Sequence, residues 1–332
     1  MSTSLIIGGS SQAAFYVIKN LLALGEFVIA THRSEERSEQ RLSQLTSSKV
    51  NLNNYVSVIC EEFGTQDLID LIYQHSISSV YYLSAVNISS SNTKMSDSNI
   101  SEMQKVHIRD ALSVLNAIKA IPDTRGLFTL SSKMFRATGE VDEIITIDSI
   151  PNPENYYGQS KNEAWDYIKR YRESFGCHVS ATVLFNYESN YRLSKAKDSF
   201  LIPTLTRKIL RLKWNMATKI DIKDFSQRQD WSHAADICNS IVAVGKSISP
   251  MDFVIGSGYG QSVNEIILEA LRLINDDELS DKCVRVLPNE IPFRPCVVSN
   301  NNEIDELMGP YKRHHVAEVI SEEYLRLVKK EI

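Results

Sequence analysis

Leu5-Ile-Ile-Gly8-Gly-Ser-Ser-Gln-Ala-Ala14 runs from an apolar strand through a turn of small residues into a helix. A dinucleotide pyrophosphate sits at such a turn, on the N–H groups that open the first helix. The usual pattern asks for glycine three times. Here Gly8, Ser11 and Ala14 stand at those positions, with Gln12 at the helix start. All three are small, so close approach of a phosphate remains open. A plain strand–helix turn explains the stretch equally well.

The same rhythm continues outward. Short apolar runs at 5–7, 27–30, 56–60, 80–83, 127–130 and 180–184 read as strands. Helical patterns lie between them near 12–24, 34–46, 65–75, 101–120 and 157–175. Strands that are apolar throughout are buried on both faces, which is the mark of a parallel sheet. Their alternation with helices predicts an α/β fold, a Rossmann-type doubly wound parallel sheet with a smaller C-terminal lobe. Residues 1–185, with returns near 229–260, are expected to form the dinucleotide-binding domain. Residues 186–228 and 261–332 are expected to form a substrate lobe over the C-terminal edge of the sheet. Segments 186–228 and 283–312 carry Pro203, Pro288, Pro292 and Pro295 and read as irregular. Val254 and the stretch Gly256 to Gly260 are expected to rejoin the main sheet briefly. The polar stretch from Ser89 to Lys94, continuing through Asn99, reads as a loop that could act as a lid.

The second strand ends in Ala30-Thr-His-Arg-Ser34, with no acidic residue to hold a ribose 2′-hydroxyl. Arg33 with Ser34 better suits the 2′-phosphate of NADP, with NAD as the alternative cofactor. Arg33 reads with equal weight as a solvated loop charge. Glu62, after the third strand, is placed to reach an adenine amino group, and Ala85 follows the fourth strand on the pyrophosphate side.

Tyr157-Gly-Gln-Ser-Lys161 opens the last of these helices. Positions four apart share a helix face. A lysine ammonium one turn from a phenol favours the phenolate and lowers the tyrosine pKa. Such a tyrosine can take a proton from an alcohol, or return it, while a hydride moves. Ser131 ends the apolar run of the fifth strand and could hydrogen-bond the same oxygen. Y-x-x-x-K alone is a weak motif, and two surface residues at that spacing are the commoner case.

The chain has 332 residues, 43% hydrophobic and 23% charged, the balance of a globular protein of one large domain or two. A net charge of −5 argues against nucleic acid as a partner, because phosphate backbones need a basic field. No apolar run approaches membrane length, and the N-terminus lacks a signal-peptide core. Five scattered cysteines without a leader read as reduced, buried thiols in a cytoplasmic protein. The seven histidines show no ligand spacing, and His314-His315 reads as a solvated helix start rather than a metal site, so no metal is expected.

Five further stretches follow in order: Leu184-Phe-Asn-Tyr-Glu-Ser-Asn-Tyr-Arg192, Leu205-Thr-Arg-Lys-Ile209, Gln229-Asp-Trp-Ser-His-Ala234, Asp252-Phe-Val-Ile-Gly256 and Phe293-Arg-Pro295. Together with the turn at Gly8 and the Tyr157/Lys161 pair, they resemble the extended short-chain dehydrogenase/reductases. Within that epimerase/dehydratase group they resemble most closely the GDP-mannose 4,6-dehydratase family, over nearly the whole chain. The resemblance implies an NADP-dependent enzyme acting on a nucleotide-diphosphate sugar, GDP-linked, assembled as a homodimer or homotetramer. Such enzymes oxidise the sugar at C4, remove water across C5 and C6, and return the hydride to C6. By motif match Ser131 takes the place of an active-site threonine, Tyr157 the acid/base and Lys161 its partner. Asn186, Arg192 and Arg294 fall where the family binds sugar and diphosphate, and Arg207 lies in a family motif of the same half.

Two departures stand out. The family carries a glutamate two residues after its serine or threonine, as acid or base for the elimination. Lys133 stands there, and the two-residue alternation of the preceding strand turns it toward the site. Losing a general base costs about 10²–10⁴ in rate. In a shifted register Glu140 or Asp142 would occupy the pocket instead. Val297 stands where the family has a glutamate near the nucleotide ribose, and Gln229 replaces an arginine for which the adjacent Arg228 could compensate. Three readings follow: a C4 dehydrogenase or 4-ketosugar reductase without efficient elimination, a true 4,6-dehydratase with a displaced acid/base, and a non-catalytic nucleotide-sugar-binding homologue.

Overall fold

Each apolar run becomes a strand in the computed structural model, which describes residues 2–86, 96–193, 200–288, 290–309 and 311–328. β1 (Thr3–Ile7), α1 (Gln12–Ala23), β2 (Phe27–His32), α2 (Glu35–Ser47), β3 (Tyr55–Ile59), α3 (Thr65–His75) and β4 (Ile77–Tyr82) alternate strictly. α4 (Asp97–Met103), α5 (Asp110–Ala120), β5 (Arg125–Ser131), β6 (Glu143–Ile145), α6 (Tyr156–Phe175) and β7 (Val179–Leu184) follow. The C-terminal half adds β8 (Asn186–Glu188), α7 (Leu201–Lys213), β9 (Arg228–His233), α8 (Ala234–Gly245), β10 (Phe253–Ile255) and β11 (Gly260–Ser262). It closes with α9 (Val263–Ile274), α10 (Asp277–Val284), β12 (Val297–Ser299), α11 (Asn302–Met308) and α12 (Ala317–Val328).

Seven strands form one parallel sheet in the order β10-β7-β5-β4-β1-β2-β3. The order reverses between β1 and β4, which opens a crevice at the C-terminal strand edge. Side chains alternate across the sheet as strand geometry requires. Leu5 and Ile7 join the core beneath α3, α5 and α6, whereas Ile6 joins the core beneath α1 and α8. A third apolar cluster, built from α7, α9, α10 and α12, lies apart from the sheet.

The alternation placed every main-sheet strand up to β7, and the departures have local causes. The predicted helix at 101–120 begins earlier, at Asp97, and carries a π-helical turn at Gln104–Arg109. There the Tyr82 hydroxyl of β4 donates to the Val106 carbonyl, competing for an acceptor of the helix ladder. The polar stretch expected to run through Asn99 is therefore helical from Asp97; residues 89–94 lie outside the described residues. The segment 186–228, read as irregular, contains α7. Pro203 stands in the first turn of α7, where a missing N–H costs no hydrogen bond. β10 does rejoin the main sheet, but Gly256 to Gly260 do not. They lead into β11, which pairs with β9 in a small separate sheet.

Asp230 ties this half together. Its carboxylate is fully buried and accepts from the N–H and hydroxyl of Ser257, the N–H of Gly258, and the N–H and hydroxyl of Ser299, at 2.7–3.1 Å. Removing it would strand donors on two segments at once, Ser257–Gly258 and Ser299. Asp230→Ala should lower unfolding stability by on the order of 3–5 kcal/mol in urea titration, with Asp230→Asn losing less.

Candidate active site

A cleft of about 600 Å³ opens along the C-terminal strand edge at the point where the strand order reverses. Gly8, Ser11 and Gln12 line it from the end of β1. Gly8 has φ +96°, and a Cβ there would lie 2.8 Å from the Ser84 hydroxyl oxygen, so only glycine lets this turn pass the loop after β4. Ser11 caps α1 through the Ala14 N–H, leaving the first-turn N–H groups without intrahelical partners. Arg41 reinforces the turn from below. It is fully buried on α2, donates to the carbonyls of Gly9 at 3.1 Å and Ser11 at 2.7 Å, and has its pKa lowered to about 10 by burial. This arrangement can hold a pyrophosphate on helix N–H groups.

The candidate Ser131, Tyr157 and Lys161 group sits at the end of β5. Ser131 closes the strand, and Ser132–Met134 turn at once into a 3₁₀ helix. α6 begins beside this turn, capped by Asn155, whose side chain accepts from the Gly158 N–H at 3.0 Å. A Cβ on Gly158 would stand 2.2 Å from the Lys133 carbonyl oxygen. The glycine therefore lets α6 approach closely enough for Ser131 to hydrogen-bond the Tyr157 hydroxyl. Tyr157, Lys161 and Ser131 all line the cleft. Burial raises the Tyr157 pKa above its ordinary value, and the Ser131 hydrogen bond opposes that shift. The expected lowering by Lys161 does not occur in this state. The Lys161 ammonium donates instead to the Thr129 carbonyl at 3.1 Å, and burial lowers its pKa to about 8.

His107 lies behind the pair. Its Nε2 accepts from the Val86 N–H at 3.1 Å, which leaves Nδ1–H to donate to the Ser160 hydroxyl at 2.8 Å. Burial first, then the Lys161 charge, pushes its pKa down to about 2, so it is neutral throughout the working pH range. Its ring meets Tyr157 edge-on at 5.2 Å. On the far side Glu188, buried and held above the ordinary carboxylate pKa by that burial, pairs with Arg192 through two contacts of 3.1 Å. The Arg192 guanidinium lies 3.6 Å from the Phe200 ring centroid. Asn186 donates to Gln229 at 2.6 Å, so the glutamine in the family's arginine position is engaged.

Among the residues expected at the site, Gly8, Ser11, Gln12, Arg33, Ala85, Ser131, Tyr157, Lys161, Asn186 and Arg192 share this cleft wall. Others stand outside it. Ala14 is fully buried in the packing of α1, and Ser34 caps α2. Glu62 turns outward to Lys105 at 3.2 Å, while Glu61 lines the cleft instead. Arg228 is held by Asp142 at 3.0 Å and the Gly260 carbonyl at 2.7 Å, and Arg294 pairs with Asp224 at 2.9 Å. Arg207, on α7, does not line the cleft. Neither does Lys133, an accessible residue whose ammonium nevertheless lies among surrounding protein. Two-residue alternation stops at Ser131, so the strand register that turned Lys133 inward does not reach it. The surrounding protein desolvates its ammonium and lowers the pKa, opposed by the nearby Glu154 and Cys296. Glu140 and Asp142 are absent from the wall as well.

Sequence reasoning missed Arg41, His107 and Glu188. Arg41 could have been found as the arginine four residues before Leu45 on the one buried stripe of a charged helix. Glu188 stood inside a quoted motif, four residues from Arg192. His107 carried no signal, because its place depends on the π-helical turn. Among the described residues no cluster of three or more His, Cys, Asp or Glu could hold a metal ion, and no helix is long and apolar enough to cross a membrane.

The family described as GDP-mannose 4,6 dehydratase matches residues 5–303. GDP-mannose 4,6 dehydratase 2 of Caenorhabditis elegans is 25% identical over 323 residues, covering 92% of this chain and 81% of that protein. A GDP-mannose 4,6-dehydratase of Sordaria araneosa is 22% identical over 315 residues, covering 90% of this chain; the chain spans 55% of that longer protein. Among solved structures, dTDP-glucose 4,6-dehydratase from Bacillus anthracis in complex with NAD has a TM-score of 0.77 at 14% identity, covering 99% of this chain and 98% of that one.

The Lys161 shift also has a stability consequence. Its pKa is about 8 when folded against the ordinary 10.5, so between those values the unfolded chain binds more protons and stability rises with pH. Below pH 8 the full cost of burying the ammonium is present. Lys161→Met should abolish Tyr157-dependent chemistry yet raise stability by on the order of 1–3 kcal/mol at pH 7. Urea denaturation at pH 7 and pH 9.5 should show that the variant lacks the wild-type rise over about pH 8–10.5.

Proposed function

The chain belongs to the GDP-mannose 4,6-dehydratase family, and on that premise we propose that it exchanges a hydride at C4 of a nucleotide-diphosphate sugar, GDP-linked, without efficient removal of water. The observation that carries this reading is the condition of the carboxylates along the cleft. Among the described residues, its lining carboxylates are Glu61, Glu102, Asp110 and Glu188. Glu102 pairs with Arg33, Asp110 with Lys105 and Glu188 with Arg192. Glu61 follows β3, the strand farthest from Ser131 on that side of the sheet. Among the described residues, no free lining carboxylate thus stands beside Tyr157 to take a C5 proton.

In this reading a bound nicotinamide supplies the hydride acceptor or donor. Tyr157 takes the proton from the C4 hydroxyl, or returns it to a C4 carbonyl. Ser131 holds the phenol oxygen in place. Lys161, with a pKa of about 8, stays protonated at neutral pH, and its charge would offset the burial penalty on the phenolate once it turns from the Thr129 carbonyl toward Tyr157. Neutral His107 fixes Ser160 on the helix that carries both residues. Asn186 and Arg192 face the sugar and diphosphate from residues 186–228, which with 261–332 make the substrate lobe; residues 1–185, with returns near 229–260, hold the dinucleotide. NADP is the preferred cofactor, read by Arg33 and Arg37, and NAD is accepted in its place. A cytoplasmic homodimer or homotetramer is the assembly that accords with the family.

The test combines mass spectrometry with reduced-nicotinamide absorbance on GDP-hexoses and their 4-keto forms, with NADP or NAD present. The expected result is a substrate-dependent change in nicotinamide redox state with sugar products differing by two hydrogens and retaining their water. Tyr157→Phe should lower that rate by about 10²–10⁴. A product lighter by one water with no net cofactor turnover would overturn the reading in favour of a true dehydratase. Silence with every sugar, alongside intact nucleotide-sugar binding, would favour a binding role.

A further inference from the structure

Glu102 has no part in the chemistry proposed above, yet it reaches into the cleft. It stands next to last in α4, and Arg33 faces it from the end of β2. Nη1 of Arg33 and Oε1 of Glu102 are 3.1 Å apart, with 52% and 48% of the two side chains exposed. Three residues on, Lys105 pairs with Glu62 and with Asp110, each at 3.2 Å. Two ion pairs therefore stitch the α4–α5 segment to the loops that follow β2 and β3. This is the end of the crevice where strand order places the adenosine half of a dinucleotide.

The local charge balance gives the Arg33–Glu102 pair its meaning. The lining residues there carry two cations, Arg33 and Arg37, against three anions, Glu61, Glu102 and Asp110. While Arg33 is engaged with Glu102, this end is a poor host for a further phosphate. A half-exposed pair is weak, however, and a phosphate offers a guanidinium two parallel charge-assisted hydrogen bonds. The two acceptors contend for one cation.

We propose that Glu102 is a specificity-determining residue that competes with the 2′-phosphate of NADP for Arg33 and so sets the ratio of NADP to NAD affinity. This inference rests on the dinucleotide reading of the cleft. With NAD, a neutral 2′-hydroxyl leaves the ion pair closed. With NADP, Arg33 turns to the phosphate and Glu102 is released to solvent.

The experiment is fluorescence titration of NADPH and NADH into the full chain, Glu102→Gln, Arg33→Gln and the double variant. Glu102→Gln should raise the NADPH-to-NADH affinity ratio by roughly two- to tenfold at low salt. That gain should shrink as added salt screens the exposed charges. Arg33→Gln should lower the ratio, and adding Glu102→Gln to it should produce no further change, since the two residues act on one contact. An unchanged ratio in Glu102→Gln beside a lowered one in Arg33→Gln would overturn the competition and leave the cofactor reading intact. An unchanged ratio in Arg33→Gln would overturn both the phosphate assignment to Arg33 and the inference. Failure of the unaltered chain to bind either dinucleotide would sink the cofactor reading, and this inference with it.

Discussion

Parallel strands can be joined only by crossovers, so all seven strands of the main sheet end on one edge. That constraint gathers the functional side chains. The turn at Gly8, the Arg33 loop, Ala85, Ser131 and Asn186 each follow or end a different strand, and none is near the others in sequence. The crossover helices then bring their own N-termini to the same edge, α1 at Ser11 and α6 at Asn155. Reversal of strand order between β1 and β4 keeps this edge from closing, and the cleft is what remains.

Holding that edge open has a cost in buried polar groups, which are satisfied one by one. Among the described residues Arg41 has no carboxylate partner; the carbonyls of Gly9, Ser11 and Tyr191 and the Gln44 side chain accept its hydrogen bonds instead. A turn with serine and alanine in two glycine positions is thereby held by a side chain rather than by glycine contacts alone. His107 does comparable work on the other side, linking Val86, in the loop after β4, to Ser160, on the helix that carries Tyr157. A single neutral imidazole thus joins the loop after β4 to α6.

The fold was legible because it rests on local patterns. Two-residue and 3.6-residue periodicities marked each main-sheet strand through β7 and the helices between them, and the ends were off by only a few residues. The cleft wall was legible where a motif sits at the end of such an element, as at Gly8, Ser131 and Tyr157. It was not legible where geometry departs from the element. Lys133 was read inward by extending strand alternation past Ser131, where a 3₁₀ turn takes over. Arg228 and Arg294 were read as ligand contacts, but each is held by a carboxylate distant in sequence, Asp142 and Asp224. The helix over 186–228 was hidden by Pro203, whose harmless place in the first turn appears only once the helix start is known.

The pKa pattern at Tyr157 and Lys161 has a single physical origin. Burying a lysine ammonium without a carboxylate partner is destabilising, and a chain free of the need for it could replace Lys161 with an apolar residue at a gain. Burying a tyrosine beside it raises the phenol pKa, which makes proton loss harder until positive charge draws near. Both shifts share one cause, the exclusion of water from the end of β5, and each opposes stability of the charged form. Ser131, Thr129 and His107 hold the two residues and their helix in place beside the cleft, and perturbed groups so placed are candidates for proton transfer. Among the described residues the carboxylates lining this cleft are held in ion pairs or lie toward β3, away from Ser131 and Tyr157.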